Sequence, residues 1–347
     1  MPMFWKPPIQ KMHCLALAAI LLPLFNGEGQ TNCEAQTLAK KAVATNLNHP
    51  SGIAIHPNDE SIYVADSGHG NVVRFMAEKA EIVVSNYPVT QDAKILNTVG
   101  GPQSLGFLEN GKRLIVGSSG WAPENDRIDI YEVDALPANQ DSPHASFQIL
   151  AENSPDKKSQ GDFFGIAWDE STAWLTGRGS PEIGWIYEIS KNAASSDQAP
   201  RCAIKTWNAT QTRYPTALAI TPAGFLLVGL RGDLENPSVL GFFDRDTGQL
   251  RARFDIGKPG LIALAYHPIN GKLYGLINNP KDPDRNGLYK LVARKRNTAC
   301  EAQLQVRIPD PWAMAFSKSG ELWVTGGRES GTLWQISQSG TPEKDCP

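Results

Sequence analysis

The sequence contains no phosphate-cradling Gly-rich loop ending in Lys-Ser or Lys-Thr, and no Gly-x-Ser-x-Gly nucleophile turn. The common routes to nucleotide hydrolysis and serine-hydrolase chemistry therefore have no foothold. An excess of charge of one sign is missing too. Lys and Arg number 33 against 36 Asp and Glu, a formal net charge of −3, with no like-charge block. Neither a nucleic acid nor an anionic membrane surface is an expected partner for such a chain. Cysteine is scarce, five in 347 residues with no Cys-x-x-Cys pair, which removes the usual zinc-ribbon and redox motifs. No apolar run reaches the roughly 20 residues of a helical membrane span.

The longest apolar run, residues 14–25, follows Lys6 and Lys11. It is too short to cross a bilayer and suits the core of a signal peptide. Gly27 and Gly29 stand at −3 and −1 before Gln30. Residues 1–29 are therefore expected to be a signal peptide, and residues 30–347 a secreted or periplasmic mature chain with no integral membrane span. A retained N-terminal anchor is the alternative. In an oxidising compartment the remaining cysteines, Cys33, Cys202, Cys300 and Cys346, favour disulfides.

What the chain has is repetition. A Pro- or Gly-led apolar strand, a tight polar turn and a second strand recur with starts near residues 50, 102, 164, 215, 260 and 311, at spacings of 45 to 62 residues. Each copy divides into about four short strands separated by turn-forming residues. One such sheet cannot bury its own faces, so the copies must stack around an axis. The expected fold is all-β, a six-bladed β-propeller over residues 30–347. The last copy lacks a fourth strand, while the segment 42–47 precedes the first copy without a partner. The N-terminal strand is therefore expected to close the last blade, which removes two free sheet edges. Closure would also bring the chain ends together, making Cys33–Cys346 the favoured disulfide. Cys202 and Cys300 fall on outer strands of non-neighbouring blades.

The first copy reads Gly52-Ile-Ala-Ile, then Ile62-Tyr-Val-Ala-Asp66-Ser-Gly68, then Val72-Val-Arg-Phe75. This segment resembles an NHL repeat, and the six copies together are similar to the NHL and SMP-30-like six-bladed propellers. The resemblance covers roughly residues 40–336 and implies the fold strongly and a function weakly. In the lactonases and hydrolases of that group a divalent metal sits on the axis, held by the Glu of a Glu-Gly-Pro motif with Asn and Asp from other blades. The matching segments here are Asn48-His49-Pro50-Ser51 and Gly100-Gly101-Pro102-Gln103, without that Glu. The lyases of the group hold zinc with His from several blades. Of the histidines here, His49, His56 and His69 share one blade, and His56 and His267 occupy His-Pro turns. No cofactor is therefore expected, with a divalent metal such as Ca or Zn as the alternative.

The turns joining the first and second strands of each copy are short. The loops joining the second and third are long in copies 2 to 5. In a propeller these long loops share one face with the connections between blades, so that face is the expected binding face. Asp66 ends the second strand of the first copy there. Arg178, Arg231 and Arg328 lie at the matching place in other copies, with Arg213, Tyr214 and Lys258 nearby. Converging guanidinium groups would select carboxylate, phosphate or sulfated sugar. Alternatively each pairs with a neighbouring acid such as Asp162, Asp233, Asp310 or Glu329. Trp121, Trp312 and Phe163 on the same face could stack on sugar rings or cap the core. Asp282-Pro-Asp284-Arg-Asn286-Gly287 carries the first half of a calcium loop without its closing carboxylate, which favours a plain turn. The expected function is recognition of an anionic, glycan or protein ligand on the loop-rich face. The alternative is a metal-dependent hydrolase, lactonase or lyase.

Overall fold

Strand-forming residues alternate with Gly, Pro, Asn and Asp turns along the whole repeat region, and each turn lets the chain double back on itself. The computed structural model describes residues 38–77, 79–92, 98–119, 126–148, 162–177, 184–192, 200–210, 214–232, 236–294 and 299–338. Within them six antiparallel sheets form the six blades of a propeller. Blade 1 runs outward from the axis as β2 (Pro50–Ile55), β3 (Ile62–Asp66), β4 (Asn71–Met76) and β5 (Lys79–Ser85). The short pair β6 (Gln91–Asp92) and β7 (Thr98–Val99) leads to blade 2. That blade holds β8 (Gly101–Leu108), β9 (Arg113–Ser119), β10 (Arg127–Glu132) and, after β11 (Ala138–Asn139), β12 (Ala145–Gln148). Blade 3 has β13 (Ile166–Trp168), β14 (Thr172–Gly177), β15 (Trp185–Ser190) and β16 (Arg201–Lys205). Blade 4 has β17 (Tyr214–Ile220), β18 (Leu226–Arg231), β19 (Val239–Phe243) and β20 (Leu250–Asp255). Blade 5 has β21 (Leu261–Tyr266), β22 (Leu273–Ile277), β23 (Gly287–Ala293) and β24 (Cys300–Arg307).

Blade 6 is built from both ends of the described chain. To β25 (Pro311–Phe316), β26 (Leu322–Gly326) and β27 (Gly331–Gln338) is added β1 (Leu38–Leu47), antiparallel to β27 from Leu38↔Gln338 to Leu47↔Gly331. The closing strand is thus as expected, and starts earlier than residue 42. The core lies between blades. Tyr63, Ala65 and Val72 of blade 1 pack with Leu105, Phe107 and Leu114 of blade 2, and similar clusters fill the other seams. Each such large side chain contributes about 1.5–3 kcal/mol on burial.

Two features depart from the sequence reading. The third-to-fourth strand connection of blade 2 crosses to its neighbour, where β11 pairs parallel with β5 (Ala138↔Val84) and makes blade 1 five-stranded. Near this crossover Tyr87 Oη lies 2.9 Å from Tyr131 Oη, and donates to the fully buried Asp129 carboxylate at 3.2 Å. The expected fourth strand of blade 3 ends at Lys205 and gives way to a single helical turn, Thr206–Thr210. Cys202 on β16 and Cys300 on β24 are free thiols, as their separate blades require. Cys33 and Cys346 lie outside the described residues.

Candidate ligand site at the mouth of the axis

The inner strand of five blades skips one residue in its pairing with the second strand. The breaks fall between Pro50 and Gly52, Pro102 and Ser104, Pro215 and Ala217, Leu261 and Ala263, and Pro311 and Ala313. The skipped residues are Ser51, Gln103, Thr216, Ile262 and Trp312. A bulge frees one residue from the ladder and re-aims it. In blade 3 Phe164, followed by Gly165 as Ser51 is followed by Gly52, takes the same place. Left-handed residues set up the approach to these strands: His49 (φ 51°), Gly101 (φ 137°), Gly260 (φ 85°) and Asp310 (φ 42°).

These six positions ring the axis on the loop-bearing face. Below them the small residues Gly52, Ser104, Gly165, Ala217, Ala263 and Ala313 leave an axial cavity of about 40 Å³. At roughly 10–15 Å³ each, about three water molecules would fill it. Ile53, Leu105, Ile166, Leu218, Leu264 and Met314 also line it and make its deeper wall apolar. Above it a shallower recess of about 10 Å³ is lined by His49, Ser51, Val99, Gln103, Phe164 and Trp312.

No charged side chain lines either space. Most polar groups of this rim serve the seams between blades. Ser51 Oγ donates to the Pro102 carbonyl at 3.1 Å, and Thr216 Oγ1 donates to the Leu261 carbonyl at 2.7 Å. Three buried atoms are left over: Gln103 Oε1, Ser104 Oγ and Trp312 Nε1 have no hydrogen-bond partner. A buried polar atom without a partner costs about 1–3 kcal/mol, so these three atoms are where an added hydrogen-bonding group would gain most.

His49 sits at the recess with its N–H donated to the Arg328 carbonyl at 2.8 Å and Nδ1 against Asn48 Oδ1 at 2.7 Å. Because an amide oxygen can only accept, Nδ1 carries the proton and Nε2 is left as an acceptor. Burial, helped by the Arg328 charge, lowers the His49 pKa from the usual imidazole value and favours the neutral ring. Asp66 stands behind it, 4% exposed, accepting from the Asn48 N–H at 2.6 Å and His69 Nδ1 at 2.7 Å. Burial raises its pKa against the pull of these partners. Its work is to hold the 48–49 turn.

The expected arginine cluster does not assemble among the described residues. Arg328 Nε is 2.8 Å from Asp310 Oδ2, the acid-paired alternative. Arg231 is buried under the face, 4% exposed, donating to the Asn278 carbonyl at 2.8 Å. Tyr214 is half-buried at the start of β17. Arg178, Arg213 and Trp121 lie outside the described residues. Trp312 does reach the axis. Phe163 does not: it is fully buried in the blade 2–blade 3 seam, edge-on to Tyr187 at 6.2 Å, because the residue after it takes the bulge position. The half calcium loop is a turn, with Asn286 Oδ1 accepting from Asn279 N–H at 2.6 Å and Asp282 paired to Arg285 at 2.8 Å. The sequence reading passed over Gln103, Ser104 and Thr216. Their signal was position, one or two residues after the Pro that opens each copy.

An NHL repeat model matches residues 47–75, the first blade. No curated protein sequence matches the chain. Among solved structures, a glucose dehydrogenase superposes with a TM-score of 0.60 over 87% of this chain and 100% of its own, at 14% identity. A gluconolactonase from Xanthomonas campestris gives 0.60 over 89% and 94%, at 11% identity. The PQQ-bound aldose sugar dehydrogenase from Streptomyces coelicolor gives 0.58 over 87% and 99%, at 11% identity. At such identities the likeness is one of fold, that of a six-bladed β-propeller. Around the axis stand hydroxyls, an amide, an indole and apolar groups, and no cluster of three His, Cys, Asp or Glu is placed to hold a metal. Among the described residues no helix is long and apolar enough to cross a membrane.

Proposed function

We propose that this chain is an exported recognition propeller that binds a glycan at the mouth of its axis, with a neutral sugar unit meeting the ring. The observation carrying this reading is the uncharged ring with two aromatic groups, Phe164 and Trp312, and orphaned polar atoms Gln103 Oε1 and Trp312 Nε1 beside the same recess. A hydroxyl both donates and accepts, so sugar hydroxyls are the right kind of partner for either orphan. The ring faces of Phe164 and Trp312 suit the apolar face of a pyranose. The sugar-acting names of the structural neighbours agree with this ligand class. Export rests on the leader-like residues 1–29.

Isothermal titration against a panel of neutral and acidic oligosaccharides tests the proposal. Trp312→Phe keeps the ring and removes the N–H, and Gln103→Leu removes the acceptor. Each is expected to weaken binding about tenfold, the worth of one buried hydrogen bond. A panel that binds nowhere, or binding indifferent to both variants, would sink the reading. Hydrolysis is the second reading, favoured by the neutral His49 imidazole at the rim, which could act as a general base. Lactone turnover lost in His49→Gln would support it.

A further inference from the structure

At the seam between blades 4 and 5 on the loop-bearing face, Arg231 is buried without an acidic partner among the described residues, and Lys258 belongs to the adjoining turn. Arg231 ends β18, and its Nη1 has no hydrogen-bond partner. Burial alone acts on its pKa, pushing it down to about 10. A carboxylate within reach would have raised it. Lys258 lies in the turn from β20 to β21. Ser238 fastens the two together: its N–H donates to the Lys258 carbonyl at 2.8 Å, and its Oγ accepts from the Gly232 N–H at 3.3 Å and the Leu261 N–H at 3.1 Å. Asp233 and Glu235 lie outside the described residues, and the described acids on this side are engaged. Asp255 pairs with Arg253, Asp282 with Arg285 and Asp310 with Arg328.

Bracing the seam does not require a cation. At the matching place in other seams Ser67 Oγ donates to the Pro102 carbonyl, and Asn278 Nδ2 donates to the Pro311 carbonyl at 3.0 Å. Those neutral side chains do the bracing without burying a charge. A guanidinium cannot shed its proton in a protein, and an unpaired buried charge is costly enough that buried charges are ordinarily paired. We infer that the blade 4–blade 5 seam is an oxyanion site, in which Arg231 Nη1 and the Lys258 ammonium receive a carboxylate or phosphate group of a ligand. This site is separate from the uncharged axial ring and does not rest on the glycan reading.

Calorimetric melting of the whole protein, in chloride against acetate or inorganic phosphate at matched ionic strength, tests it. Wild type should gain about 3 °C, saturably, in at least one oxyanion. Acetate alone would assign a carboxylate, and phosphate alone a phosphoryl group. Arg231→Met should lose the gain while melting in chloride at or above wild type, because it removes an unpaired buried charge. Lys258→Met, outside the core, should weaken the response about tenfold without changing the melting temperature in chloride. Three results overturn the inference: no anion-specific gain in wild type, a gain that survives either substitution unchanged, or an Arg231→Met protein that unfolds in chloride, which would make the guanidinium a brace.

Discussion

Gly165→Ala probes the closest approach of blades at the axis. Gly165 does not need a left-handed backbone, so the cost of a methyl there is one of space. A Cβ would stand 2.8 Å from the Thr216 carbonyl oxygen, 2.9 Å from Ala217 Cα and 3.1 Å from Ala217 C, all backbone atoms of the next blade. Neither side can yield cheaply. Gly165 N–H donates to Thr176 Oγ1 at 2.8 Å and its carbonyl accepts from Thr176 N–H at 2.9 Å, while Thr216 is tied to Leu261. Opening the contact to an ordinary distance needs a shift of about half an ångström or more, and such overpacking costs about 2 kcal/mol. The melting temperature should then fall by roughly 3 °C. Gly271→Ala is the control. Nothing lies within 4 Å of its added methyl, and only its φ of 66° resists, for about 1 kcal/mol. Scanning calorimetry of both variants beside wild type decides the matter. A Gly165→Ala protein as stable as the Gly271→Ala control would mean that the inner strands are not packed this closely, and the axial cavity would be misdrawn.

Ala54→Asp places a carboxylate at a position with 0% exposure between blades 1 and 2, and the several kcal/mol this costs should leave no soluble folded protein in expression trials. A chain beginning at residue 48 lacks β1 and bares the edge of β27; size-exclusion chromatography should find it aggregated, where the full chain is dispersed. Asp244 gives the acid response. Arg251 first, then the N–H and hydroxyl of Thr247, hold its carboxyl down to about 2. A depressed folded pKa means its contribution is complete above the unfolded value near 4 and is lost as pH falls through about 2. Asp244→Asn should therefore melt slightly below wild type at pH 7 and match it at pH 2. The pair lies near the surface, with Arg251 37% and Asp244 23% exposed, so the difference at neutral pH should be under about 2 °C.

The propeller could be read from the sequence because its signals are local and repeated six times. Pro50, Pro102, Pro215 and Pro311 each open an inner strand, and the unpartnered segment before residue 50 had only one sheet left to join. The crossover of β11 was not readable. It depends on a two-residue parallel pairing with β5, and so short a strand has no periodicity of its own. The site was half readable. Trp312 was named as a surface aromatic and belongs to the axis at 6% exposure. Arg328 and Asp310 stand 18 residues apart, on either side of β25 and β26, so their pairing waits on the fold. Phe163 and Phe164 are indistinguishable by composition; only the path of the chain into β13 sends one to the core and the other to the axis.

That bulge explains why one position matters more than its chemistry suggests. The side chain it releases from each inner strand belongs to neither blade's ladder, although Ser51 and Thr216 brace the seams and Ile262 and Trp312 also pack into the core beside blade 6. What the axis meets is set by Ser51, Gln103, Phe164, Thr216, Ile262 and Trp312 almost alone. An acid at one or two of them would make a cation site on the same backbone. Here all six are uncharged, while a charge without a partner is kept one strand farther out, at Arg231. A cation at the axis would gain nothing from this ring, whereas an anion at the seam would relieve an existing strain in the charge distribution. The division follows from which strand position each residue occupies: the bulge faces the axis, and the residue ending the second strand faces the next blade.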